Sequence, residues 1–163
     1  VLPVFEPAPT GDDRRCTEQE LREEWVEWLK TSPVEMRWFV TLTFRRRDRS
    51  LDKAWRACLH WLRSIEDLVL RGQARRRGLP WIVTIERHRD GTPHAHILLA
   101  GTSNLTARFL ASLWKKGFAK VARLDPTKDP LSYMVKDLAA GALLKFSRAV
   151  APKRSDESPS PRG

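Results

Sequence analysis

The stretch WIVTIERHRDGTPHAHILL, residues 81–99, holds two apolar runs on either side of an Asp90-Gly91 pair. WIVTIE is rich in β-branched and aromatic residues, and HAHILLA reads as its partner, so the connector RHRDGTP marks a β-hairpin. The second arm begins with His94 and His96, where two imidazoles would weaken a buried strand unless something compensates. Strand alternation places both on one face, where their ring nitrogens can converge on one ion. Glu86 ends the first arm, across the hairpin from His94, and reaches the same spot. Two imidazoles and a carboxylate form a three-ligand set with open positions, which suits a divalent cation used as a Lewis acid. An HxH pair alone is weak, since histidines at a strand entrance are ordinary surface residues. Glu86 on the paired strand gives the pair its weight; His88, in the turn, is a rival ligand.

Outward from the hairpin, other segments alternate between helical and strand patterns. A first helix is predicted from about Glu18 to Lys30, with Thr17 and Glu20 as a capping box and Leu21, Trp25 and Trp28 on one face. WFVTLTF, residues 38–44, is a strand that puts Phe39, Thr41 and Thr43 on one side. Ser50 caps a long helix carrying Leu51, Trp55, Cys58, Leu62, Ile65 and Val69 at helical spacing, ending near Gly72. After the hairpin come a helix from about Leu105 to Lys116, a strand FAKVARL, and a last helix from about Leu131 to Leu144. Asp129-Pro130 supplies that last helix with an N-cap and a proline at its first position. The order, helix, β-α-β-β-α-β, helix, predicts an α+β fold. It is the ferredoxin-like, split βαβ (RRM-like) type, a mostly antiparallel sheet with its helices on one face and the other face left for a ligand. Residues 1–15 read as a flexible arm, 16–148 as the folded domain and 149–163, rich in Pro and Ser, as a disordered tail.

Tyr133, the single tyrosine in the chain, sits on the last predicted helix. That helix has an apolar stripe of Leu131, Met134, Val135 and Leu138, and at 100° per residue Tyr133 falls well outside it, on the side of Lys136. A phenol is a weak nucleophile and needs an electrophile made unusually reactive. A divalent ion held by Glu86, His94 and His96 would polarise a phosphodiester for in-line attack by Tyr133. Lys136 would stabilise developing charge. The product would be a phosphotyrosine bond and a free hydroxyl, a step that is reversible.

Charge points the same way. The net charge is +10 and the isoelectric point about 10.3, with clusters at Arg45-Arg46-Arg47, Arg75-Arg76-Arg77, Arg87 with Arg89, and Lys115-Lys116. A polyanion is the natural partner, because neutralised phosphates release counterions. Arg87 and Arg89, beside the metal set, are favoured for backbone contact, with Arg45, Arg46 and Arg47 following the first strand. Trp81 and Trp114 are candidate stacking platforms for unpaired bases. Cys16 and Cys58 lack zinc-site spacing, no apolar run reaches membrane-spanning length, and a cytoplasmic location with reduced thiols is expected.

FVTLTF (39–44), PHAHILL (93–99) and YMVK (133–136), in this order, resemble the motifs of the HUH endonuclease superfamily. The chain looks most like the single-tyrosine replication initiator (Rep) proteins of rolling-circle plasmids and phages, over residues 38–144. The resemblance implies a site- and strand-specific nick in single-stranded DNA at an origin or hairpin, dependent on magnesium or manganese. It implies Tyr133 linked to the 5′ phosphate, a 3′ hydroxyl left for a polymerase, Glu86 as third ligand, and a plasmid or phage gene in a bacterial host. The chain carries no GxxxxGK[ST] loop, so unwinding would come from a separate helicase. Tyrosine transposases and relaxases of the superfamily are the nearest alternative, although the transposases usually have glutamine where this chain has Lys136. From another class, a non-catalytic RRM-like single-strand-binding module would leave Glu86, His94, His96 and Tyr133 without a role.

Overall fold

The computed structural model describes residues 18–32, 34–45, 50–71, 78–102, 104–125, 127–135 and 142–150. Helix α1 (Glu18–Lys30) precedes β1 (Trp38–Thr43), α2 (Leu51–Val69), β2 (Trp81–Arg87), β3 (Pro93–Leu99), α3 (Ala107–Ser112), β4 (Ala119–Arg123), α4 (Pro130–Val135) and β5 (Leu143–Phe146). The five strands form one sheet in the order β4-β1-β3-β2-β5, with each neighbouring pair antiparallel. β1 and β2 both flank β3 and are joined through α2, which is the split βαβ arrangement. The fold is α+β and ferredoxin-like, as the element order predicts, with a fifth strand added at the β2 edge.

The hairpin at the heart of the sheet closes as its residues demand. Gly91 takes a φ of +83°, a left-handed conformation that glycine adopts without cost, and the His88 amide donates to the Thr92 carbonyl at 2.9 Å. Asp90 Oδ1 accepts from the Thr92 amide and hydroxyl, at 2.9 and 2.6 Å. The Ser50 hydroxyl accepts from the Lys53 amide at 3.2 Å and starts α2 where the sequence places it.

The two sides of the sheet are covered by different helices. Val40, Leu42, Val83, Ile85, Ala95, Ile97 and Leu99 pack with Ala54, Cys58, Trp61, Leu62 and Ile65 of α2 and Leu110 of α3. Burial there pushes the Cys58 thiol up to about 12, so it serves as a small apolar filler rather than a nucleophile. On the opposite side, Ile82 and Leu98 pack with Val26 and Leu29 of α1, Met134 of α4 and Val150. The expectation that all helices lie on one face is therefore corrected. Ile82 and Leu98 make one end of the second face apolar, and α1 and α4 cover that end, with Tyr133 of α4 reaching the His96 ring beyond it.

The last helix is also corrected. It is predicted to run to Leu144, but α4 stops at Val135 among the described residues and Leu143–Phe146 form β5. β5 pairs with β2, Ile82 opposite Phe146 and Thr84 opposite Leu144. Leu144 and Phe146 cover the second cluster, while Leu143 reaches the first. An apolar LLKF run fits either period on its own; the unpaired edge of β2 decides for the strand. The third helix is shorter than predicted, ending at Ser112.

Candidate metal centre and its tyrosine

On the second face the strand register aligns side chains in rows. Glu86 stands opposite His94, and His94 opposite Thr43. The next row runs Leu144, Thr84, His96, Thr41, Lys120, and the one after it Phe146, Ile82, Leu98, Phe39, Ala122. Glu86, His94 and His96 are buried and offer ligand atoms that all lie within 4.8 Å of one another. Both Nε2 atoms converge on Glu86 Oε1, His94 at 2.7 Å and His96 at 3.1 Å. A buried carboxylate is costly unless paired, and two imidazoles with one carboxylate are a donor set that a divalent cation accepts. This group could hold a metal ion. His88 stacks on His94, with ring centroids 3.8 Å apart, but it stands outside that ligand set and is exposed.

Thr41 is a partner that pattern reading missed. Its Oγ1 lies 3.2 Å from His96 Nδ1. When Nε2 carries the proton and donates to Glu86, the Thr41 hydroxyl can donate to Nδ1. When Nε2 must offer its lone pair to a cation, the proton moves to Nδ1 and the same hydroxyl accepts it. Only the register of β1 against β3 reveals this contact; the alternation of FVTLTF shows no more than that Thr41 shares a side with Phe39 and Thr43.

The start of α4 sets Tyr133 beside this group. Asp129 caps the helix: its Oδ1 accepts from the Ser132 amide at 3.1 Å and its Oδ2 from the Ser132 hydroxyl at 2.6 Å. Those bonds, the side-chain one first, hold the Asp129 carboxyl below its usual value. Met134 enters the second cluster, and its neighbour Tyr133 stays 45% exposed. The tyrosine ring meets His96 edge-on, centroids 5.2 Å apart, and meets Phe39 at 6.1 Å. Phe39 in turn stacks on His96 at 5.6 Å. A groove of about 470 Å³ opens beside Tyr133, lined also by Phe39, Thr41, Lys120 and Lys128.

The structure thus brings Glu86, His94, His96 and Tyr133 together. Lys136, Arg46, Arg47 and the Arg75 cluster lie outside the described residues. Arg45 is exposed on the other side of the β1 end. There it lines a groove of about 680 Å³ with Lys53, Arg56, His60, Lys115 and Lys116. Arg87 Nη1 donates to the Gly91 carbonyl at 3.2 Å, and Arg89 is exposed at the hairpin tip. Trp81 and Trp114 are not stacking platforms: they are 7% and 6% exposed and belong to the first core cluster. Trp114 Nε1 also donates to the Thr43 carbonyl at 3.0 Å. Large aromatic area favours burial, and a tryptophan at a strand start or helix end gains more from the core than from water.

Against known proteins, a family model described as replication-associated protein ORF2 matches residues 37–141. That span runs from the residue before β1 through α4 and covers well over half of the chain. No curated protein and no solved structure matches it.

Proposed function

The chain belongs to the replication-associated protein ORF2 family, and from that premise we propose that it is a metal-dependent nicking and joining endonuclease. Its substrate is single-stranded DNA, and its cut initiates rolling-circle replication of a plasmid or phage. The observation that carries this reading is the edge of the Tyr133 ring on His96, one of three buried residues able to ligate one ion. The family match favours a replication role over transposition or conjugative relaxation, and the basic charge of the chain suits a phosphodiester partner.

Glu86, His94 and His96 would hold the cation, magnesium or manganese. When bound, it supplies Lewis-acid polarisation of a phosphodiester oxygen. Tyr133 Oη forms a bond to phosphorus as the bond from phosphorus to the 3′ oxygen breaks. The phenol gives up its proton and the departing 3′ oxygen takes one up, leaving a 5′-phosphotyrosine and a free 3′ hydroxyl. Lys136 stabilises charge that develops on the phosphate. Thr41 fixes the His96 ring, while Phe39 and His96 hold the phenol by their ring faces and edges. Because the tyrosine ester conserves the bond, attack by a 3′ hydroxyl rejoins the strand. A separate helicase and polymerase complete the cycle.

The test is incubation with labelled single-stranded oligonucleotides and manganese, followed by denaturing gels and mass spectrometry. Wild-type protein should yield a shorter strand and a protein-linked one, and excess chelator should abolish both. Tyr133→Phe should bind the same DNA and give no adduct. An adduct formed by the variant, or cutting undiminished in chelator, overturns the scheme.

A further inference from the structure

Phe118 is 68% exposed, more than Tyr133 or Phe109, the other large apolar side chains found in water among the described residues. Single exposed apolar side chains are ordinary on protein surfaces. This one differs because the backbone that presents it is held firmly. The Thr43 amide donates to the Phe118 carbonyl at 2.9 Å, and the Phe118 amide donates to Thr43 Oγ1 at 3.0 Å. Arg45 N donates to the Lys116 carbonyl at 2.8 Å. Between them Gly117 lies so close to β1 that a Cβ there would collide with the Thr43 carbonyl. Glycine lets residues 113–118 lie flat against the end of β1, and the ring of Phe118 is left facing solvent.

The backbone bond from the Thr43 amide to the Phe118 carbonyl carries the β1–β4 register one step past its last pair. Leu42 stands opposite Ala119, and Thr43 comes opposite Phe118. Residues opposite one another share a face. Thr43 in turn is opposite His94, and His94 is opposite Glu86. The row therefore reads Phe118, one residue ahead of β4, then Thr43 of β1, His94 of β3 and Glu86 of β2. With strands about 4.8 Å apart, Phe118 lies two strands from His94, within reach of one short stretch of DNA. A cation stands beside it on this face: Lys120, opposite Thr41 in the next row, is exposed, whereas Lys115 and Lys116 belong to the Arg45 groove on the α2 side. An aromatic face beside a cation, on a rigid mount, is the pairing that single-stranded nucleic acid recognises.

We propose that Phe118 is a stacking platform for an unpaired nucleobase of the DNA strand that crosses the Glu86–His94–His96 group, with Lys120 taking a neighbouring phosphate. The assignment rests on the reading of the chain as a single-strand nicking enzyme. Stacking uses the π-face that every base has, so Phe118 positions the strand without choosing its sequence.

The experiment compares the full chain with Phe118→Ala and Phe118→Trp by fluorescence anisotropy on single-stranded oligonucleotides without added metal. A series of oligonucleotides carries one abasic site at each position in turn. Phe118→Ala should bind roughly 5- to 150-fold more weakly, the loss expected for one stacked base. Phe118→Trp should restore affinity. One abasic position should weaken wild type to the level of the alanine variant and leave that variant unchanged. Equal affinity of wild type and Phe118→Ala, or a loss spread evenly over the abasic series, overturns the platform. So does a wild-type dimer, seen by sedimentation, that Phe118→Ala dissolves without changing DNA affinity, because the ring would then face a second copy. If wild type binds no single-stranded DNA, the nicking reading falls with it. If binding and the Tyr133 adduct persist while Phe118 is immaterial, only the platform falls.

Discussion

The two faces of the sheet are built from the same strands and differ in what they reward. On the side of α2, the three central strands contribute apolar residues along their length: Val40 and Leu42 of β1, Val83 and Ile85 of β2, Ile97 and Leu99 of β3. On the other side, the same strands change character from one end to the other. Ile82 and Leu98 are apolar and covered, whereas Glu86, His94 and His96 are polar and gathered beside a half-exposed tyrosine. Burial without partners stabilises the first face. The second gives up apolar area at one end and holds chemistry there instead. Substitutions on the two faces should therefore fail in different ways, one in folding and the other in ligand binding.

Ile97 is fully buried in the central strand and should show the first kind of failure most clearly. Ile97→Ala removes packing that nothing nearby can refill, and should cost about 2–5 kcal/mol in a denaturant titration. Metal binding per folded molecule should be unchanged. A stable variant with lost metal binding would show that the faces are not separable.

Thr41→Val tests the second face by a change of nearly equal volume. The valine cannot accept a proton from His96 Nδ1 or donate one to it. Affinity for manganese, read by calorimetry, should fall by about 10- to 100-fold, the usual cost of losing a partner behind a ligating histidine. Thr41→Ser should recover most of it, and an unchanged isotherm for Thr41→Val would remove the hydroxyl from the site. Nitrogen NMR of the His96 ring gives a readout independent of any activity: the valine variant should shift the balance of its two tautomers.

Much of this geometry was legible in the chain. The hairpin followed from Asp90-Gly91, and Glu86 opposite His94 followed from its length, because pairing two strands through a short turn fixes who faces whom. Tyr133 was legible as a residue off the apolar stripe of its helix. What was hidden depended on neighbours distant in sequence. β5 takes its identity from the free edge of β2, which no local period encodes. Phe118 gains its place from a bond to Thr43, and the tryptophans, attractive as platforms, are claimed by the core. Cover on the second face required knowing that Ile82 and Leu98 line up across two strands.

The smallest effect concerns the cap that presents Tyr133. Asp129 accepts from Ser132 as a carboxylate, and those bonds hold its carboxyl below the usual 3.8. A depressed carboxylate contributes stability that is present above its unfolded value and is lost as pH falls through its lower folded value. The cap should thus persist at neutral pH and weaken only below pH 3.8, with α4 fraying at its first turn. Asp129 is exposed, so removing the cap by Asp129→Ala should cost about 1 kcal/mol or less. Tyr133, as the single tyrosine, gives one ring signal in a selectively labelled sample. In wild type that signal should move in acid while the rest of the protein stays folded. Asn caps without titrating, so Asp129→Asn should flatten the acid response, whereas Asp129→Ala should show the displaced signal at every pH. An acid transition of the same size in Asp129→Asn would assign it to other carboxyls, with Asp125 next to examine because Thr127 lowers its carboxyl in the same way. The comparison of faces would then rest on the sheet alone, with the start of α4 a passive bystander to where the phenol sits.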